Sequence, residues 1–140
     1  MALELVPFGT ADIRIAEPIV LADGPQGTRL IIEVVAAEYS GERFRAKLKG
    51  AAAGDWLQVS PRGIGTLDVR ITLETDDGAL LYATYRGRVD VSKGVEGAVV
   101  YSTPLFETGD ERYQWMNAVQ FVAKGVVSGD SLHYDIFELR

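Results

Sequence analysis

The sequence has no cysteine and a single histidine, His133. Without cysteine there is no disulfide, no thiolate nucleophile and no thiolate metal site. With one histidine, a zinc site would have to be mostly carboxylate, and a Ser-His-Asp triad would have to use His133 itself. Long apolar runs are also missing: no stretch approaches the roughly 20 residues of a membrane span. The start, "MALELVPFG", lacks the basic segment and apolar run of a secretory signal. The expectation is a cytoplasmic protein with no membrane partner. Positive charge is scarce, with 14 Lys and Arg against 20 Asp and Glu and a net charge of −6. That balance argues against a general nucleic-acid binder, which needs a basic face. The one dense basic run, Arg43, Arg45, Lys47 and Lys49 in "ERFRAKLKG", alternates with Phe44, Ala46 and Leu48 and reads as one solvated strand face. No Gly-rich loop links a strand to a helix, so nucleotide binding finds no support. No window sustains a 3.6-residue apolar period.

What is present is alternation with a period of two. "ADIRIAEPIVLA" alternates through Ile13 and Ile15, then Ile19 and Leu21, with Pro18 marking an edge or a bulge. "TRLIIEVVAAEYSG" is β-branched and almost continuously apolar, which fits a strand covered on both faces and hints at a homo-oligomeric contact through "LIIEVV". "GAAAGDWLQVSPRGIG" is a Gly/Ala-rich link with a short strand near Leu57–Val59. "GAVVYSTPLFET", "YQWMNAVQFVAKGVV" and "SLHYDIFEL" each alternate and are bounded by Gly, Asp or Pro, as turn chemistry requires. Eight or more strands at short spacing predict one all-β domain over residues 1–140, a barrel or a sandwich.

The segment "TLDVRITLETDDGALLYATYRGR" is a hairpin whose sidedness matters for function. Leu67, Val69, Ile71 and Leu73 form one row of its first strand, and Asp68, Arg70, Thr72 and Glu74 form the other. Asp77-Gly78 is a strong turn signal because glycine tolerates positive φ. A two-residue loop sets Arg70 opposite Tyr85. A three-residue loop with a bulged Gly78 sets Arg70 opposite Thr84, with Tyr82 and Arg86 on that side, and swaps the face. The polar row is then either the solvated outside of the barrel or the lining of its cavity.

The pieces "AAAGDWLQV", "TLDVRITLETDDGALLYATYRG", "YSTPLFETGDERYQWMN" and "YDIFEL" resemble the bacterial and fungal family labelled domain of unknown function 3237, also called uncharacterised protein family 0311. The resemblance runs from about Leu3 to Leu139. It implies a single closed antiparallel β-barrel with an interior cavity, similar to allene oxide cyclase and dirigent-type barrels, and no agreed activity. It favours the inward reading of the polar row. The motif residues it marks are Asp55, Trp56, Asp68, Arg70, Tyr85, Phe106, Glu107, Tyr113, Trp115 and Asn117.

On that reading Arg70 orients an anionic or carbonyl oxygen, and Asp68 or Glu107 moves the proton. Tyr85 donates a hydrogen bond to the developing charge. Trp115 and Asn117, taken as alternate residues of one strand, supply an aromatic wall and an amide, and Trp56, Phe106 and Tyr113 complete the substrate contacts. Asp55 is expected to anchor a turn, and His133 to lie outside the site. The expected function is a cofactor-free isomerase, cyclase or lyase with no metal, acting on a small oxygenated conjugated or aromatic molecule. The alternative is a non-catalytic carrier of a similar small hydrophobic molecule using the same residues as pocket contacts.

Overall fold

Period-two alternation produces ten strands in the computed structural model, which describes residues 1–140. They are β1 (Leu5–Ile15), β2 (Ile19–Gly24), β3 (Gly27–Ser40), β4 (Ala46–Leu48), β5 (Gly54–Val59), β6 (Ile64–Thr75), β7 (Leu80–Asp90), β8 (Val99–Glu107), β9 (Phe121–Ser128) and β10 (Ser131–Leu139). Every pairing is antiparallel, running β1-β10-β9-β8-β7-β6. β4 and β5 then share one position between β6 and β3. β3 returns to β1 and closes the circuit. The fold is therefore a closed eight-strand antiparallel barrel with two additional strands, which removes the free edges an open sheet would leave. Pro18 lies in the break between β1 and β2, where its missing N–H costs no ladder bond. β2 pairs only with β3, and all of its residues are exposed.

One predicted strand is shorter than the alternation implies. Residues Gln114–Ala118 form a short 3₁₀ helix, and only Phe121–Ser128 of that segment is a strand. The reason is packing: Met116 is fully buried and its neighbour Trp115 also packs against the core, which strand alternation forbids for adjacent residues.

The interior has two unlike ends. At one end the aromatic residues Phe8, Phe44, Phe106 and Phe121 interlock, with ring centroids 4.8 Å apart for Phe8–Phe121 and 5.2 Å for Phe106–Phe121. Trp115 closes this plug against Phe8, and the Arg43 guanidinium stacks 3.9 Å from the Trp115 ring centre. Glu138, almost wholly buried, accepts hydrogen bonds from Arg43 at 2.8 Å and Arg140 at 3.2 Å, so its charge is compensated. At the other end the side chains are aliphatic and leave a cavity.

Candidate functional site

The hairpin takes its three-residue turn. Gly78 sits at φ 89°, where a side chain would be strained, and its N–H bonds to the Thr75 carbonyl. Thr75 Oγ1 accepts the Ala79 N–H at 2.8 Å and donates to Asp77 Oδ1 at 2.6 Å, which locks the bulge. The register that follows pairs Arg70 with Thr84, Asp68 with Arg86 and Val69 with Tyr85. Burial, not register, corrects the inward reading of the polar row. Asp68 and Arg70 face outward, the Arg70 side chain is 56% exposed, and Leu67, Val69, Ile71 and Leu73 fill the barrel. Tyr85, buried and inward, stands on the opposite face from both.

The remaining predicted residues do not meet at one site: Phe106, Glu107 and Asn117 line an open surface groove beside Tyr82 and Thr84, and Trp56 joins Asp68 and Arg70 on the outer face. Trp56 is exposed on the outer face, with the Arg70 guanidinium 5.2 Å from its ring centre. Asp68 lies near both Arg70, at 3.9 Å, and Arg86, at 4.0 Å, in an open surface cluster. Glu107 ends β8 with its side chain exposed. Phe106 is part of the aromatic plug. Tyr113 packs on Phe44, and its hydroxyl donates to Asp77 Oδ1 at 2.8 Å, tying the helical segment to the hairpin turn. Asn117 is exposed and clamps Thr108 through both its carbonyl and its amide. Trp115 and Asn117 sit on the 3₁₀ helix, not on a strand. His133 points outward, 2.6 Å from Asp12, as expected of a residue outside the site.

What the barrel does assemble is a cavity of about 140 Å³ at its aliphatic end. Ile13, Ile32, Leu57, Val69, Val100 and Val127 are among its walls, and Pro18, Val91 and Val95 reach its mouth. Asp55 is the only charged residue in this lining, and the only hydroxyls are those of Tyr85 and Tyr134. Asp55 belongs to β5, where it shares the inward row with Leu57 and Val59 while Trp56 and Gln58 point out. The strand registers place it in line with Val69 and Tyr85 across β6 and β7. Sequence reading took Asp55 for a turn anchor because a Gly/Ala link precedes it. The signal that could have found it is the pattern Asp-x-Leu-x-Val, one carboxylate in an otherwise apolar row.

Burial in these aliphatic walls pushes the Asp55 carboxyl up to about 6. A hydrogen bond from the Asp68 backbone N–H, at 2.9 Å to Oδ1, pulls the other way without cancelling it, and the Asp68 charge adds to the rise. Tyr85 and Tyr134 are held above the usual phenol range, first by burial, so both stay protonated, and the Tyr85 hydroxyl donates toward Tyr134. Their rings meet edge to face, 5.8 Å between centroids. Tyr134 is seated directly over Gly125, its partner on β9: a Cβ there would meet the ring at 2.5 Å. The Tyr134 O–H is buried without an acceptor, and the hydroxyl of Ser102 is buried without a partner. No group of three His, Cys, Asp or Glu side chains is placed to hold a metal ion.

A family model described as "Protein of unknown function (DUF3237)" matches residues 3–139. A relative from Bradyrhizobium diazoefficiens, a UPF0311 protein, is 26% identical over 93% of this chain and 92% of its own length. Among solved structures, a β-barrel-like protein from Acinetobacter baumannii is 25% identical, covers 100% of this chain and 98% of that one, and superposes with a TM-score of 0.90. A more distant barrel, an enzyme from Penicillium herquei, is 18% identical, covers 99% and 94%, and gives a TM-score of 0.71.

Proposed function

The chain belongs to the family of proteins of unknown function DUF3237, and from that premise we propose that it is a proton-transfer enzyme of the isomerase, cyclase or lyase kind, acting inside the barrel on a small oxygenated molecule. The observation that carries the reading is Asp55, a carboxylate with a raised pKa, alone in an aliphatic cavity beside two protonated phenols. A buried carboxylate is a stronger base than one in water, and an apolar wall keeps water from competing with the substrate. Asp55 takes a proton from a carbon next to a carbonyl, and Tyr85 or Tyr134 donates a hydrogen bond to the oxygen on which the electron pair comes to rest. Return of the same proton to another carbon isomerises the substrate. In an elimination the enolate electrons form the new double bond as the bond to a β leaving group breaks, and the proton held by Asp55 passes to the departing group.

The carrier alternative uses the same walls but leaves Asp55 only its hydrogen bond from the Asp68 N–H, which does not require a charged carboxylate. Shape and hydrogen bonds suffice for a carrier, and a carboxylate held against its solvation preference only weakens one. The likeness in fold to the Penicillium herquei enzyme supports the catalytic reading.

The test requires no knowledge of the natural substrate. Incubated in deuterium oxide with a small single-ring ketone such as cyclohexanone, the protein is expected to speed deuterium incorporation next to the carbonyl above the buffer rate, followed by NMR. The catalysed rate rises with pH up to about 6, where Asp55 loses its proton, and is level above pH 7. A rate equal to that of buffer at every pH, across a panel of such ketones, would sink the reading.

A further inference from the structure

The cavity discriminates by charge as well as by shape. It contains no cation: the only ionisable groups facing it are Asp55, Tyr85 and Tyr134. Arg70 and Arg86, on two of its strands, point outward and lie near Asp68 instead. An anion entering here would be stripped of water beside a carboxylate with nothing to compensate it. An uncharged molecule meets no such barrier. Its apolar part gains from the aliphatic walls, and a cavity of about 140 Å³ is close to one that takes a single benzene ring.

A second observation fixes orientation. Tyr85 and Tyr134 line both this cavity and a narrower pocket deeper in the barrel, where Ser102 and Tyr39 lie. The Tyr134 hydroxyl is buried with its ring seated on Gly125; the Tyr85 hydroxyl donates toward it, but the Tyr134 O–H itself has no acceptor. A buried donor without an acceptor is costly, and an acceptor oxygen supplied by a ligand removes that cost. Resting on the proton-transfer reading above, we propose that the substrate is an uncharged, single-ring compound with one carbonyl oxygen, bound oxygen first, the oxygen accepting from Tyr134 and the ring lying among the aliphatic side chains toward Pro18 and Val95.

Three probes share one skeleton and differ only beside the ring: acetophenone has a neutral carbonyl, α-methylstyrene has no oxygen, and benzoate is an anion. NMR titration of the protein at pH 8 is expected to rank acetophenone tightest, with α-methylstyrene about tenfold weaker and benzoate weaker again. In Tyr134→Phe, which keeps the ring on Gly125, acetophenone loses its advantage while α-methylstyrene binds as before. Benzoate binding as tightly as acetophenone, or an advantage that survives Tyr134→Phe, overturns this substrate class and leaves Asp55 as a base untouched. Failure of all three to bind overturns the substrate class and the cavity site together.

Discussion

Asp55→Asn is expected to abolish ketone exchange and, at the same time, to make the protein more stable at pH 8. Loss of a general base costs a factor of roughly 10²–10⁴ in rate, which would bring the exchange close to that of buffer. The stability gain follows from linkage. A carboxyl whose folded pKa is about 6, against an ordinary 3.8, binds its proton more tightly in the folded protein than in the unfolded chain. Its favourable contribution is complete below about pH 4 and is lost as pH rises through 6. Above that, folding must hold a charged carboxylate in apolar surroundings. The full rise in pKa is equivalent to about 3 kcal/mol, and the partial exposure of the group reduces it to roughly 2 kcal/mol.

Asparagine keeps the acceptor for the Asp68 N–H and removes the charge, so at pH 8 the variant gains about that much, or roughly 5–8 °C in Tm. At pH 4 the two proteins differ little. Other groups titrate as well. Asp77, Asp90 and Asp110 have lowered pKa values, so what they contribute is lost as pH falls; His133 is raised by its bond to Asp12, so its contribution is lost as pH rises. These terms are common to both proteins and cancel in the difference. Melting curves at pH 4, 6 and 8 read the result. A variant less stable than its parent at pH 8 would mark Asp55 as a structural residue.

Phe121→Ala has the largest expected cost to the fold. Phe121 is fully buried at the centre of the aromatic plug, against Phe8 and Phe106. Truncation removes the transfer energy of a whole ring and leaves a hole that the stiff barrel wall cannot close, for about 4 kcal/mol and roughly 10–15 °C in Tm. Because the plug and the cavity occupy opposite ends, probe binding beside Asp55 survives at temperatures where the variant is folded. Urea unfolding measures the cost. A loss below about 1 kcal/mol would mean that the plug does not hold that end of the barrel.

The fold was legible because alternation is a backbone property. Leu67, Val69, Ile71 and Leu73 had to share one face whatever the turn did, and glycine and proline punctuated the strands. The face that Tyr85 takes was not legible in the same way. It depends on whether Asp77-Gly78 closes a two- or a three-residue loop, and that is decided by the Thr75 hydroxyl bonding to Asp77 and Ala79, a detail outside any alternation. The polar row reads as a lining on the strength of the family resemblance; the burial of Leu67, Val69, Ile71 and Leu73 puts it in water. Trp115 and Met116 defeated the strand reading because neighbours in sequence both pack on the core. Asp55 was hidden by its setting: one acidic residue after a glycine looks like turn chemistry until the apolar character of Leu57 and Val59 is extended back to it.

If Asp55 is a base made strong by an aliphatic cavity, the pH titration of its side-chain carboxyl carbon by NMR reports it most directly. A midpoint near 6 is expected. A midpoint at or below the ordinary 3.8 would mean that the carboxylate is well solvated or paired, and would contradict the proposed chemistry at its source.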